Sequence, residues 1–76
     1  MRMVNFDGKL FRISNSNSRR IEYSINNGYT WIPSYIDYGT TGSFESLLDN
    51  GNEMLAQTEK GLCYTTDGFH WLRRGF

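Results

Sequence analysis

Cys63-Tyr64-Thr65-Thr66-Asp67-Gly68-Phe69-His70-Trp71 reads as a strand that enters a turn at Asp-Gly and returns through aromatic residues. Asp-Gly between β-forming runs is a strong hairpin signal, because both residues tolerate the positive φ angles of a tight turn. An earlier stretch, Tyr23-Ser24-Ile25-Asn26-Asn27-Gly28-Tyr29-Thr30-Trp31, repeats the design. Tyr23 aligns with Tyr64, Ser24 with Thr65, Asn26 with Asp67, Gly28 with Gly68 and Trp31 with Trp71, and the first turn is one residue longer. A two-residue type I′ loop at Asp67-Gly68 sets Tyr64 opposite Trp71, Thr65 opposite His70 and Cys63 opposite Leu72. A three-residue loop at Asn26-Asn27-Gly28 sets Tyr23 opposite Trp31. Both registers therefore predict a Tyr–Trp cross-strand pair, which contributes roughly 0.2–1 kcal/mol.

Working outward, each hairpin extends into a meander. Met3-Val4-Asn5-Phe6 runs to Asp7-Gly8, a second Asp-Gly turn, and Lys9 to Ser14 returns from it. Asn15-Ser16-Asn17-Ser18 is a loop, since Asn and Ser side chains compete for backbone hydrogen bonds. Arg20 to Ser24 alternates, with Ile21 and Tyr23 facing inward. The next strand runs from Tyr29 to Ile32 and meets Pro33, with Tyr35 to Tyr38 as an edge continuation. Gly39 to Ser43 links the units. Phe44 to Leu48, Glu53 to Thr58, Leu62 to Thr65 and Phe69 to Leu72 form the second set. A rival helical spacing runs through Phe44, Leu47, Leu48, Met54 and Leu55, and Ser43 could cap a short helix to Leu48. The strand reading is preferred, because Asp49-Asn50-Gly51-Asn52 puts poor helix formers in mid-segment. The fold class expected is all-β: two antiparallel four-stranded meander units within one domain, about 1–38 and 43–76.

Composition narrows the function classes. The chain has 76 residues, a formal net charge of zero and 16% aromatic residues. Zero net charge argues against nonspecific nucleic-acid binding, which rests on phosphate neutralisation. The aromatic content argues against disorder. One Cys and one His fall short of a four-ligand zinc site and allow no internal disulfide, so no cofactor or metal is expected. No apolar run has the length of a membrane span and no apolar leader is visible, which makes the cytoplasm the default expectation.

Ser24 to Trp31 resembles an Asp-box, the Ser-x-Asp-x-Gly-x-Thr-Trp hairpin of sialidase-like β-propellers, also called the BNR repeat. Thr65 to Trp71 is similar to its shorter form. Asn26 stands where that pattern has Asp, Thr65 where it has Ser and His70 where it has Thr. The resemblance implies a scaffold role: Asn26 and Asp67 tie down their own turns, Gly28 and Gly68 shape them, and Trp31 and Trp71 pack beneath, with Tyr23 and Tyr64 beside them. It also implies that each unit resembles a propeller blade. Propellers have typically 4–8 blades, so two blades per chain imply completion by self-association. A homo-oligomer is expected, with a trimer favoured because three chains make six blades.

Catalysis is not expected. Cys63 and His70 lie on opposite faces of their hairpin, so they do not make a nucleophile–base pair. A sialidase-type site needs an arginine cluster, a tyrosine and carboxylates, and nothing in the spacing gathers Arg2, Arg12, Arg19, Arg20, Arg73 and Arg74 or gives Asp37 and Glu45 such roles. A glycan ligand is the first expectation, bound by aromatics beside charged groups: Arg20, Glu22, Tyr35, Tyr38 and Arg73. The reading is a non-enzymatic binding module. The alternatives are a structural or protein-interaction subunit without a small ligand, and an inactive fragment of a propeller glycosidase.

Overall fold

Asp7 and Gly8 both take positive φ, 53° and 76°, so the first Asp-Gly is a tight two-residue hairpin. It joins β1 (Met3–Phe6) to β2 (Lys9–Ile13), with Phe6 opposite Lys9. β3 (Arg20–Ser24) and β4 (Ile32–Ile36) complete an antiparallel sheet of order β1-β2-β3-β4. β5 (Phe44–Asp49), β6 (Met54–Thr58), β7 (Gly61–Thr65) and β8 (Leu72–Arg73) form a second sheet of order β5-β6-β7-β8. This computed structural model describes residues 3–74, so Arg2 lies outside the described residues. The described residues contain no helix, and thus no helix that is long and apolar enough to cross a membrane. The alternative helix at Ser43–Leu48 is replaced by β5, whose extra residue Glu45 is accommodated by a bulge between Phe44 and Ser46.

The two sheets carry the same cross-strand rows. Val4–Phe11–Tyr23–Ile32 crosses the first sheet and Leu48–Leu55–Tyr64–Leu72 crosses the second. One position along, Met3–Arg12–Glu22–Pro33 corresponds to Leu47–Ala56–Cys63–Arg73. Tyr23 is therefore opposite Ile32, and Tyr64 is opposite Leu72. This corrects the Tyr23–Trp31 and Tyr64–Trp71 pairs, and Cys63 faces Arg73 rather than Leu72. The physical reason lies in the turns. At Asp67-Gly68 only Gly68 has positive φ, so this Asp-Gly is not a type I′ loop. Its amides bond to side chains instead of a ladder, and pairing resumes only at Leu72. The first turn behaves alike. Its return strand begins at Ile32 rather than Tyr29, and Pro33 sits inside β4, where an edge position tolerates its missing N–H.

The core lies between the sheets. Phe6, Phe11, Ile13 and Ile21 of the first sheet meet Phe44, Leu47, Met54, Ala56, Cys63 and Trp71 of the second unit. These alternate with outward residues as a period of two requires. Tyr35 reaches across to Phe44 at 6.0 Å between ring centroids, and Phe44 meets Trp71 at 5.2 Å. The turn after β7 closes one end: Phe69 sits edge-on to Tyr23 at 5.2 Å and to Phe11 at 6.4 Å. Gly68 lies directly against the Phe11 ring, where an added Cβ would come within 2.3 Å of Cζ.

Gly68→Ala therefore combines a clash with a positive φ of 84° and should destabilise the fold by about 3 kcal/mol. Gly8→Ala has positive φ but open space around it, and should cost about 1 kcal/mol. Urea unfolding of both variants measures the difference, and equal midpoints would refute the packing of Gly68 on Phe11.

Candidate functional site

Two turns, one connector and a charged cluster hold much of the polar chemistry among the described residues. In the turn after β3, the Ser24 hydroxyl accepts from the N–H groups of Asn26 (3.2 Å) and Gly28 (2.8 Å). It donates to Asn26 Oδ1, which also accepts from the Thr30 N–H at 3.0 Å. The turn after β7 repeats this. Thr65 Oγ1 accepts from the N–H groups of Asp67 and Gly68 and donates to Asp67 Oδ1. Asp67 Oδ1 accepts from the N–H groups of Phe69 (2.8 Å) and His70 (3.0 Å). His70 Nδ1 lies 2.8 Å from Asp67 Oδ2. Partial burial acts to raise the Asp67 pKa, but the His70 side chain and these N–H donors outweigh it and hold it well below the usual carboxylate range. Trp71 is buried beneath its turn, whereas Trp31 is half-buried, 3.4 Å from where a Cβ on Gly28 would stand.

The connector between the sheets is wound around Asp37, whose side chain is fully buried (0% exposed). Asp37 Oδ1 accepts from the N–H groups of Thr40 and Thr41, and Oδ2 from those of Gly39 and Gly42, all at 2.8–2.9 Å. The Tyr35 hydroxyl donates to Oδ1 at 3.2 Å, and an Arg19 nitrogen stands 3.8 Å from Oδ2. Burial alone would raise the Asp37 pKa. The four backbone donors reverse that and hold it far below the ordinary value. Tyr35 is pushed up, first by burial and then by the Asp37 carboxylate.

The charged cluster lies on the outward face of the first sheet. Glu22 is nearly buried, with Arg12 Nε 2.9 Å from Oε1 and Arg20 Nε 3.0 Å from Oε2. The Arg12 guanidinium lies 4.0 Å above the Trp31 ring, a cation–π arrangement. Arg20 also donates to the Ser14 and Ser16 hydroxyls. The second sheet has a smaller counterpart, with Arg74 4.1 Å above the Tyr64 ring and bonded to Glu53.

Of the sequence-derived ligand residues, only Arg20 and Glu22 come together. Tyr35 points into the core and serves Asp37 rather than an exposed platform. Tyr38 is 91% exposed on the connector, and Arg73 is exposed at the far edge of the second sheet. Sequence reasoning missed Arg12, Trp31 and Asp37 as members of polar sites. A signal for Arg12 was its register opposite Glu22, and for Asp37 its place just before a Gly-Thr-Thr-Gly run. Cys63 is buried with its sulfur 3.6 Å from Thr58 Oγ1, while His70 is exposed on the turn, so the two do not meet. Among the described residues, no group of three His, Cys, Asp or Glu is placed to hold a metal ion. Comparison with protein-family models, curated proteins and solved structures finds no match.

Asp37 gives the fold an acid limit. Its folded-state pKa lies below the ordinary aspartate value of 3.8, so its contribution is full above that pH. The contribution is lost as pH falls through 3.8 toward the folded-state value. Asp37→Asn turns an NH2 group toward backbone N–H donors, and should cost about 3 kcal/mol at neutral pH. The wild-type urea midpoint should fall from pH 7 to pH 3, and its lead over the variant should narrow. Parallel pH curves for the two proteins would refute the role of Asp37.

Proposed function

We propose that the chain is a non-enzymatic binding module that works as a homo-oligomer, with a carbohydrate as its ligand class. The supporting observation is the cluster of Arg20, Glu22, Arg12 and Trp31 on an outward sheet face. It joins an indole, two guanidinium groups and a pinned carboxylate within one patch. Sugars are bound by such sets, because hydroxyls bond to charged groups and the C–H face of the ring lies on an aromatic. The Ser24–Asn26 and Thr65–Asp67 turns make parallel hydrogen-bond sets, which fits the likeness to Asp-box blades in a scaffold role.

A second reading is a structural or protein-interaction subunit without a small ligand. It is favoured by the outward apolar row of Leu48, Leu55, Tyr64 and Leu72, in which Leu48 and Leu72 are exposed.

A glycan array separates the two. The carbohydrate reading expects binding that Arg20→Ala weakens about tenfold or more, the loss of one or two charge-assisted hydrogen bonds. Circular dichroism checks that the variant keeps the fold. Absence of glycan binding by the folded wild type sinks the carbohydrate reading and leaves the structural one. Hydrolysis of a fluorogenic glycoside sinks both.

A further inference from the structure

The two sheets pack head to tail. The face of the first sheet that bears Val4, Phe11 and Tyr23 is covered by the face of the second that bears Leu47, Ala56 and Cys63. Because the rows correspond, each sheet has one face of each kind. The covered face of the first sheet has a counterpart on the second that no sheet covers: Leu48–Leu55–Tyr64–Leu72, with Leu48 60% and Leu72 56% exposed, Leu55 and Tyr64 half-buried, and the Arg74 guanidinium over the Tyr64 ring. The covering face of the second has an uncovered counterpart on the first: Met3, Leu10, Arg12 and the Trp31 turn. One turn residue makes the correspondence sharp. Phe69 fills the slot between Phe11 and Tyr23. Its counterpart Tyr29, one residue after Gly28 as Phe69 is after Gly68, is 87% exposed.

We infer that a second copy of this chain covers the Leu48–Leu55–Tyr64 face with its own first sheet, and that Tyr29 of one copy packs against Leu55 and Tyr64 of the next. This rests on the homo-oligomer reading above and gives it a specific interface. The contact would repeat between copies the one already made within the chain. The side chains trade volume in a way that suits it. Arg12 stands where the covering face of the second sheet has Ala56, and the opposing Phe11 is replaced by the smaller Leu55. The interface is heterologous, so it closes into a ring when the rotation per copy divides a full turn. Three copies give six sheets, within the range of propeller rings. The Arg20 position stays at the margin of this contact. Its counterpart Gly61 keeps partial exposure even inside the chain's own interface, whereas Cys63 and Ala56 are fully covered. Arg20 would thus lie beside the seam between copies, while Glu22 and Arg12, at the positions of Cys63 and Ala56, would lie beneath the second copy.

Sedimentation velocity tests this on the full chain. The wild type should run as one closed species, about 27 kDa for three chains of 8.9 kDa, without growing at higher concentration. Tyr29→Ala and Leu48→Asp alter exposed side chains on opposite faces, and each alone should shift the protein toward the single-chain mass. Mixed together, each variant supplies the face the other lacks, so the mixture should form a two-chain species of about 18 kDa and nothing larger. A wild type that stays at the single-chain mass overturns both this interface and the homo-oligomer reading. An oligomer that neither variant disturbs, or a mixture with no two-chain species, overturns the interface alone.

Discussion

A single buried carboxylate sets how the two halves of this protein meet. Asp37 directly follows the last strand of the first sheet, and the next five residues turn around it so that four of their N–H groups point at its two oxygens. A buried charge is costly unless its hydrogen-bonding capacity is filled, and here the connector fills it. The connector then has little freedom, and the backbone bonds that leave it reach both units. Asp37 N–H donates to Arg19 C=O, Lys60 N–H to Thr41 C=O, and Glu59 N–H to Ser43 C=O. Phe44 N–H, at the start of the second sheet, donates to Ser18 C=O in a loop of the first at 2.7 Å. The placement of one sheet on the other follows from the wrapping of one side chain as well as from apolar burial.

The same meander occurs twice, and the two copies differ where the fold needs them to. Phe11, fully buried, has Leu55 as its counterpart, which is only partly covered. Ala56 and Cys63, fully buried, have Arg12 and Glu22 as theirs. Small apolar side chains allow the second sheet to lie close against Phe11 and Tyr23. The paired charges of the first sheet stand on its outer face, where Arg12 retains contact with water. Glu22 is shielded by two arginines instead of being left unpaired, which is how a nearly buried carboxylate remains tolerable.

Much of the architecture was legible in the residue pattern. Period-two alternation and turn residues gave the number and order of the eight strands and placed six of them, and the aligned pairs from Tyr23 to Trp31 and from Tyr64 to Trp71 marked the repeat. The register of the outer strands was not legible. Asp7-Gly8 and Asp67-Gly68 are the same dipeptide, yet only the first makes a two-residue hairpin. The difference is Thr65, whose hydroxyl takes up two turn amides, together with the Asp67 carboxylate, which takes up two more. Side-chain capture of backbone donors competes with ladder pairing. The candidate site was half legible. Arg20 and Glu22 share a strand with alternate residues on one face, but Arg12 and Trp31 join them only through pairing across the sheet.

By itself, the sequence determined the class of structure: two four-stranded β meanders, and in the first of them the face on which Phe11, Ile13, Ile21 and Tyr23 lie. These depend on local rules of alternation and turn chemistry, which act over a few residues. Only the tertiary structure decided that Tyr35 serves a buried anion rather than a ligand. It alone decided that Asp37 is the most constrained side chain of the connector, and that Phe69 packs on Phe11 and Tyr23 while Tyr29 stands exposed. The last of these turns on which sheet face meets which. That choice is made by packing between segments some forty residues apart in the chain, and no local pattern encodes it.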